Sequence, residues 1–155
     1  MLTKYDAAIG TEIIQSFEAR PEMLVQILHG FLERFRCVPP EAVPQIADEL
    51  NLSRADIHGV VSFYHDFRAQ PPGETLIKIC QAESCQAMGS RALTAHAREV
   101  LGIGLNETTP DGNITLEPVY CLGNCACSPA VMVNGSVLGR VDEADFDRLL
   151  DEARG

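Results

Sequence analysis

The chain contains four cysteines arranged as two close pairs, and this arrangement limits what the chain can fold around. Cys80 and Cys85 form the first pair, Cys121 and Cys125 form the second, and 35 residues lie between the pairs. Two neighbouring thiolates can bind one metal centre, so two such pairs predict a site with four sulfur ligands. Thiolates are soft ligands that favour zinc or iron–sulfur clusters over magnesium, calcium or manganese. The spacing alone leaves zinc and iron–sulfur open.

Length and charge narrow the function classes. A chain of 155 residues can bury a hydrophobic core without disulfides. Residues 1–10 do not resemble a leader peptide, and no apolar run approaches about eighteen residues, so we expect a cytoplasmic location without membrane insertion. Thiols stay reduced there, which favours metal ligands over disulfides. The net charge of −10 argues against nucleic-acid binding, which needs clustered Lys and Arg.

The first half of the chain has helical periodicity. Three helices, each with one apolar stripe, are predicted to begin at Pro21, after Pro39-Pro40 and at the N-cap residue Ser53. The turn-rich stretch at residues 70–73 then reads as a linker. We therefore predict a small helical bundle over residues 1–74.

The second half changes to a pattern of strands and helices. Strands are predicted at 75–80 and 113–120 with a helix at 90–101 between them, followed by a hairpin around Asn134-Gly135 and a final helix capped by Asp142. The order β-α-β-β-β-α predicts a thioredoxin-like α/β domain with a mixed sheet over residues 75–155, which makes the whole chain an α+β protein. Cys80 and Cys121 then follow strand ends, so both pairs can converge at one end of the sheet.

The context of the cysteines favours iron–sulfur over zinc. Structural zinc sites stabilise domains too small for a hydrophobic core, whereas this half already has apolar stripes. Small residues around the second pair leave backbone N–H groups free to approach sulfur atoms: Gly123, Asn124, Ala126 and Ser128. The spacing fits neither the plant-type nor the bacterial ferredoxin pattern, so it indicates another ferredoxin class.

Several segments in a fixed order resemble one known family. They are Val38–Ala42, Gly59–Tyr64, the Cys80-x₄-Cys85 pair, Glu107–Gly112, and Cys121–Cys125 followed by Ser128-Pro129. The chain resembles the thioredoxin-like [2Fe–2S] subunits shared by respiratory NADH dehydrogenase (complex I), NAD-reducing hydrogenases and NAD-dependent molybdenum formate dehydrogenases. This resemblance implies that Cys80, Cys85, Cys121 and Cys125 bind a [2Fe–2S] cluster and that the chain docks against a flavin subunit that reacts with NADH or NAD⁺.

Three segments are most similar to the gamma subunit of the formate dehydrogenases: Phe63–Arg68, Cys85–Gly89 and Cys125–Ala130. The resemblance implies an electron-transfer subunit without a catalytic site of its own. FMN and NAD would bind to the flavin subunit, and the molybdenum cofactor to a subunit that contains molybdenum and iron–sulfur clusters. The equivalent subunit of complex I or of an NAD-reducing hydrogenase is the alternative.

Two functions from other classes remain as alternatives. One is a zinc-stabilised interaction domain. The other is a dithiol oxidoreductase, which the fold alone suggests, but the chain lacks the Cys-x-x-Cys spacing of such enzymes. The chain also lacks a G-x-G-x-x-G or P-loop motif, so nucleotide binding is expected on a partner.

The remaining cysteines and two histidines have simpler explanations. Cys37 and Cys127 are expected to pack as small hydrophobic residues. Cys127 is extra relative to the usual loop of the family and is therefore a competitor of Cys125 for the fourth ligand position. His58 and His65 are seven residues apart, so a Rieske-type site is conceivable, but four available cysteines make it unnecessary.

Overall fold

The computed structural model describes residues 4–154, which form two compact units. One unit ends at Pro71 and is called the helical unit; the other begins at Pro72 and is called the sheet unit. The predicted domain boundary after residue 74 stays a prediction, and residues 1–3 and 155 of the predicted domains lie outside the described residues. No helix within residues 4–154 is both long and apolar enough to cross a membrane.

The helical unit consists of four α-helices and one short 3₁₀ turn. The helices are α1 (Ala7–Ser16), α2 (Leu24–Phe35), α3 (Ala42–Leu50) and α4 (Arg54–Phe63). Pro21–Met23 forms the 3₁₀ turn, so the helix predicted from Pro21 begins as an α-helix only at Leu24. The apolar stripes of α2 and α3 are buried in one core with Ile57 of α4 and Phe67. The three helices predicted from periodicity are thereby confirmed.

Helix α1 is absent from the sequence prediction, and its position depends on a tertiary contact. A Cβ atom at Gly10 would lie 2.6 Å from Gln45 Oε1 on α3, so the missing side chain permits this close approach. Gln45 Nε2 also donates a 2.9 Å hydrogen bond to the carbonyl of Ala7. Because the contact joins residues far apart in the chain, local periodicity carries no signal for it.

Helix α4 begins with a capping box and ends at an exposed aromatic pair. Asp56 N–H donates to Ser53 Oγ at 3.1 Å, and Ser53 N–H donates to Asp56 Oδ2 at 3.2 Å. At the other end the Phe63 side chain is 74% exposed, and its ring centroid lies 5.0 Å from that of Tyr64. The helix therefore places a large aromatic surface in contact with solvent.

The sheet unit contains one mixed five-stranded sheet in the order β2-β3-β1-β4-β5. The strands are β1 (Thr75–Cys80), β2 (Glu107–Thr108), β3 (Ile114–Val119), β4 (Val131–Val133) and β5 (Ser136–Leu138), and the helices are α5 (Glu83–Ala87), α6 (Ser90–Leu101) and α7 (Glu143–Arg154). Strands β1 and β3 are parallel, and the other neighbours are antiparallel. The predicted fold class is confirmed, while α5 and β2 were not predicted.

One face of the sheet carries the hydrophobic core. Ile77 and Ile79 of β1 are fully buried and belong to the same core as Leu93 of α6 and Phe146 of α7. Side chains alternate along a strand, so Lys78 and Cys80 project from the opposite face. The hairpin between β4 and β5 has positive φ angles at Asn134 (46°) and Gly135 (89°), as the Asn-Gly signal predicts.

The contact between α6 and α7 predicts a pH-dependent stability. His96 Nε2 lies 2.7 Å from Asp147 Oδ1, and this hydrogen bond raises the pKa of His96. The unfolded histidine titrates near pH 6.5, so the stabilisation is complete below that pH and is lost as the pH rises through the higher folded pKa. We expect Asp147→Asn to lower the free energy of unfolding more at about pH 6 than at about pH 9, as measured by urea unfolding.

Asp151→Asn is the matched control, because Asp151 is also an exposed aspartate of α7. Its effect on the free energy of unfolding should be the same at both pH values. An Asp147→Asn effect that does not change with pH would contradict the assignment of this ion pair.

Candidate metal centre

The parallel pairing of β1 and β3 brings the two cysteine pairs to one edge of the sheet. Cys80 is the last residue of β1 and lies in register with Val119, the last residue of β3. Cys121 follows two residues after Val119, so both cysteine loops leave the same edge. The predicted convergence of the two loops at one end of the sheet is therefore present.

The first pair is buried. Cys80 and Cys85 are each only 2% exposed and form a small apolar cluster with Ala130. The backbone of Cys80 is held from both directions, since its N–H donates to the Ala130 carbonyl at 3.1 Å and its carbonyl accepts from the Ser90 hydroxyl. Short helix α5 carries Cys85. This half of the site is thus fixed by the sheet and by the start of α6.

The second pair is exposed and lies in an irregular loop. Cys121 and Cys125 are both exposed, and their Sγ atoms are 3.9 Å apart. Thiolates on one metal atom at about 2.3 Å lie about 3.8 Å apart in tetrahedral geometry, which matches this distance. Cys121 has a φ of 120°, an uncommon backbone conformation for a residue with a side chain. Strained conformations of this kind cluster at functional sites.

Two serines join the loops. Ser84 Oγ, beside Cys85, donates to the Cys125 carbonyl at 3.1 Å and lies 2.8 Å from Ser128 Oγ. Ser128 Oγ in turn lies 3.5 Å from Cys85 Sγ. Ser84 was not identified from the sequence. Ser128 was noted as a small loop residue and as part of the family motif, but not as a link between the loops. Their contacts span more than 40 residues, so the sequence contains no local signal for them.

Backbone N–H groups surround the sulfur atoms. Gly123 N–H donates to Cys121 Sγ at 3.3 Å. The backbone N–H groups of Ala82 and Leu122 also act to lower the pKa of the Cys80 thiol, although Leu122 belongs to the other loop. Hydrogen bonds of this kind stabilise thiolates and, in iron–sulfur proteins, tune the reduction potential.

The thiols differ in acidity. Burial raises the pKa of Cys80, and the neighbouring Cys85 raises it further. Burial also acts to raise the pKa of Cys85, but interactions with Ser128, Ala130 and Cys80 outweigh it and leave the pKa lowered. At the exposed pair, interaction with Cys121 raises the pKa of Cys125, to which the charge of Cys85 also contributes. The hydrogen bond from Ser84, next to Cys85, to the Cys125 carbonyl shows that the two pairs lie close together.

The donor set fits an iron–sulfur cluster. All four predicted ligands are free cysteines on two loops that leave the same end of the sheet. Four thiolates of this kind bind a cluster with two iron atoms. The residues present therefore fit a [2Fe–2S] cluster, which Cys80, Cys85, Cys121 and Cys125 would hold.

The two other cysteines and two histidines lie apart from the predicted ligand set or have packing roles. Cys37 is 6% exposed and packs in the core of the helical unit, in agreement with its expected packing role. Cys127 is partly buried, and a Cβ at Gly139 would lie 2.6 Å from Cys127 Cβ, so Cys127 packs against the hairpin end. His58 and His65 are exposed residues of the helical unit, whereas all four predicted ligands lie in the sheet unit.

Two thiol pairs at the end of a thioredoxin-like sheet define an iron–sulfur protein of the ferredoxin type. The chain belongs to the thioredoxin-like [2Fe–2S] ferredoxin family, whose pattern matches residues 10–154. Family membership confirms the predicted [2Fe–2S] cofactor, while the individual ligands stay a prediction.

Two relatives support the family assignment. The chain is 38% identical to the E subunit of NADH-quinone oxidoreductase from Pseudomonas aeruginosa over 114 residues, which is 74% of this chain and 69% of the relative. It is 33% identical to the HndA subunit of the NADP-reducing hydrogenase from Solidesulfovibrio fructosivorans over 144 residues, or 91% of this chain and 84% of the relative.

A solved structure shows the same fold. The chain superposes with a TM-score of 0.74 and 24% identity on an NAD⁺-reducing [NiFe]-hydrogenase in the air-oxidised state. The superposition covers 85% of this chain but only 23% of the hydrogenase chain. At this identity the similarity establishes the fold alone.

Each of the four predicted ligands should be needed for cluster binding. We expect single Cys→Ala changes at Cys80, Cys85, Cys121 and Cys125 each to remove most of the bound iron and sulfide, because each change leaves a cluster iron without one thiolate. Cys127→Ala and Cys37→Ala are the matched controls and should retain full cluster content. Iron and acid-labile sulfide per chain are the measurements. A full cluster in Cys125→Ala together with its loss in Cys127→Ala would transfer the fourth ligand position to Cys127.

Proposed function

We propose that the chain is the electron-transfer subunit of an NAD-dependent formate dehydrogenase complex and exchanges electrons with a flavin subunit. The observation that carries this proposal is the asymmetry of the cysteine site. The Cys80–Cys85 pair is buried, while Cys121 and Cys125 are exposed. A site anchored on one side and open on the other can exchange electrons with a partner surface without releasing its cofactor.

The residues of the chain hold and insulate the redox group. A bound [2Fe–2S] cluster supplies one-electron transfer. Cys80 and Cys85 anchor it in the apolar cluster with Ala130, and N–H groups of the loops stabilise the thiolates. The exposed side chains of Tyr120 (77%) and Met88 (62%) lie close in sequence to the cysteines and provide apolar surface for a partner.

Chemistry at the substrates belongs to partner subunits in this proposal. NADH donates a hydride, which carries two electrons, and a flavin can accept the pair and release the electrons singly. Formate would react at a molybdenum centre on another subunit. Sequence motifs for a nucleotide-binding loop are absent from this chain, which supports placing FMN and NAD on the flavin subunit.

The proposal of formate as the substrate rests on the resemblance of three segments to the formate dehydrogenase gamma subunit: Phe63–Arg68, Cys85–Gly89 and Cys125–Ala130. The names of the relatives favour the alternative, in which the chain is the equivalent subunit of complex I or of a hydrogenase. All three assignments give the chain the same electron-transfer role.

The helical domain, predicted over residues 1–74, is proposed as the docking domain. It contributes none of the predicted ligands. Helix α4 ends in Phe63, which is 74% exposed, and Tyr64, which is 46% exposed. Exposed aromatic side chains are enriched at protein interfaces, where they contribute much of the binding free energy.

The proposed electron path predicts how the isolated chain responds to NADH. Dithionite should reduce the chain directly, because it delivers single electrons. NADH alone should leave it oxidised, since the site accepts one electron and hydride transfer requires a two-electron acceptor. Addition of the flavin subunit should make NADH effective, as followed by visible bleaching and by the EPR signal of the reduced cluster. Rapid bleaching by NADH without that subunit would contradict the role and require a nucleotide site on this chain.

Affinity purification of the tagged full chain from the organism that encodes it tests both the identity of the parent complex and the role of the docking domain. We expect a flavin subunit and a molybdenum-containing subunit to co-purify with the wild-type chain. Phe63→Ser should reduce this recovery by about tenfold at unchanged cluster content, the loss expected of one buried aromatic anchor. Val100→Ser is the matched control, because Val100 is an exposed apolar residue of the sheet unit.

The identity of the captured subunits separates the alternatives. Recovery of a hydrogenase subunit in place of the molybdenum subunit would identify a hydrogenase as the parent complex. Recovery of membrane subunits of complex I would identify complex I. Full recovery with Phe63→Ser would contradict the docking role of the α4 end.

A further inference from the structure

An ion pair with little solvent exposure lies in the sheet, two residues along β1 from Cys80. Lys78 Nζ is 3.8 Å from Glu117 Oε2, and their side chains are only 11% and 19% exposed. Lys78 is one of only two lysines in the chain. The pair sits in the centre of the sheet, where β1 and β3 are in register at these two residues.

Stability alone does not account for this pair. Removing two charges from water costs several kcal/mol per ion, and buried ion pairs are often no more stable than apolar replacements of similar volume. On the same face of the sheet, Cys80 and Val119 pack in an apolar cluster, so this face also accommodates apolar side chains. An ion pair at such a position therefore calls for a role besides packing.

The pair and the cysteine site share one face of the sheet. Lys78 and Cys80 are two residues apart in β1, so their side chains project to the same side, away from the core face of Ile77 and Ile79. Glu117 is in register with Lys78, and Val119 is in register with Cys80. Both charges thus lie at the same depth behind the site, at a distance on the order of 10 Å from a cluster held by Cys80.

We propose that Lys78 and Glu117 set the electron affinity of the cysteine site through their charges. Uptake of one electron from an external reductant adds one negative charge there and neither forms nor breaks a bond to these residues. The Lys78 ammonium favours that added charge, and the Glu117 carboxylate opposes it. The two opposite charges largely cancel at the site. Loss of Lys78 therefore disfavours reduction, and loss of Glu117 favours it.

Coulomb's law gives the size of the shift. A unit charge about 10 Å away, at an effective dielectric constant of about 20, changes a one-electron equilibrium by about one order of magnitude. For a one-electron couple a tenfold change corresponds to about 59 mV. Burial of both side chains limits screening by salt, which would otherwise weaken an effect at this distance.

Equilibrium redox titration of the isolated full chain tests the proposal, with dithionite as reductant and the visible and EPR spectra as readouts. Lys78→Met is expected to lower the reduction equilibrium constant by about tenfold, and Glu117→Gln to raise it by about tenfold. The double variant restores the net charge and should return to within about twofold of the wild type. Lys78→Arg keeps the charge and should also stay close to the wild type.

Arg98→Met is the control for a remote charge. Arg98 is exposed and lies eight residues after Ser90 in α6, which places its backbone about 12 Å along the helix from the residue that contacts Cys80. Salt screens an exposed charge at this distance. Its removal should therefore change the reduction equilibrium constant by less than about twofold. Equal potentials in the wild type and both single variants, or shifts of the same sign in both, would overturn the proposal. If Lys78→Met fails to bind the cluster, Glu117→Gln decides: an upward shift supports the proposal, and no shift or a downward shift refutes it.

The role of the ion pair rests on the proposed cluster site but not on the identity of the partner complex. A wild-type chain without bound iron would refute the site itself. A wild-type chain with a full cluster and unshifted variants would refute only the role of the ion pair.

Discussion

The parallel pairing of β1 and β3 is the constraint on which the rest of the structure depends. Parallel neighbours need a crossover connection of about a dozen residues or more, and α5 and α6 occupy it here. The crossover explains why the two cysteine pairs are far apart in the sequence. The same pairing returns the chain to the edge that it left, so that Cys121 follows a strand whose end is in register with Cys80. A slip of register would separate the loops and destroy the site.

The site is built from two halves with different surroundings. The Cys80–Cys85 pair is buried in an apolar cluster, and β1 and the start of α6 hold the Cys80 backbone, while the Cys121–Cys125 pair lies in an exposed loop with a positive φ at Cys121. Ser84 and Ser128 connect these halves. In the proposed role, the buried half would retain the cofactor and the exposed half would face a redox partner.

The two faces of the sheet have different tasks. One face packs on α6 and α7 through aliphatic side chains and provides the stability of the unit. The other face carries Cys80 together with the charges of Lys78 and Glu117. The alternation of side chains along β1 makes this division possible, because neighbouring residues of one strand serve the core and the site in turn.

The sequence by itself determined the kind of chemistry and most of the elements. Paired cysteines predict thiolate ligation, apolar periodicity locates α2, α3 and α4, and Asn134-Gly135 locates the hairpin, because each of these signals is local in the chain. Tertiary structure alone decided the position of α1 against Gln45 and the serine bridge between the loops. It also decided the burial of Lys78 beside Glu117. These features join residues that are distant in the chain, and only strand pairing and helix packing bring such residues together.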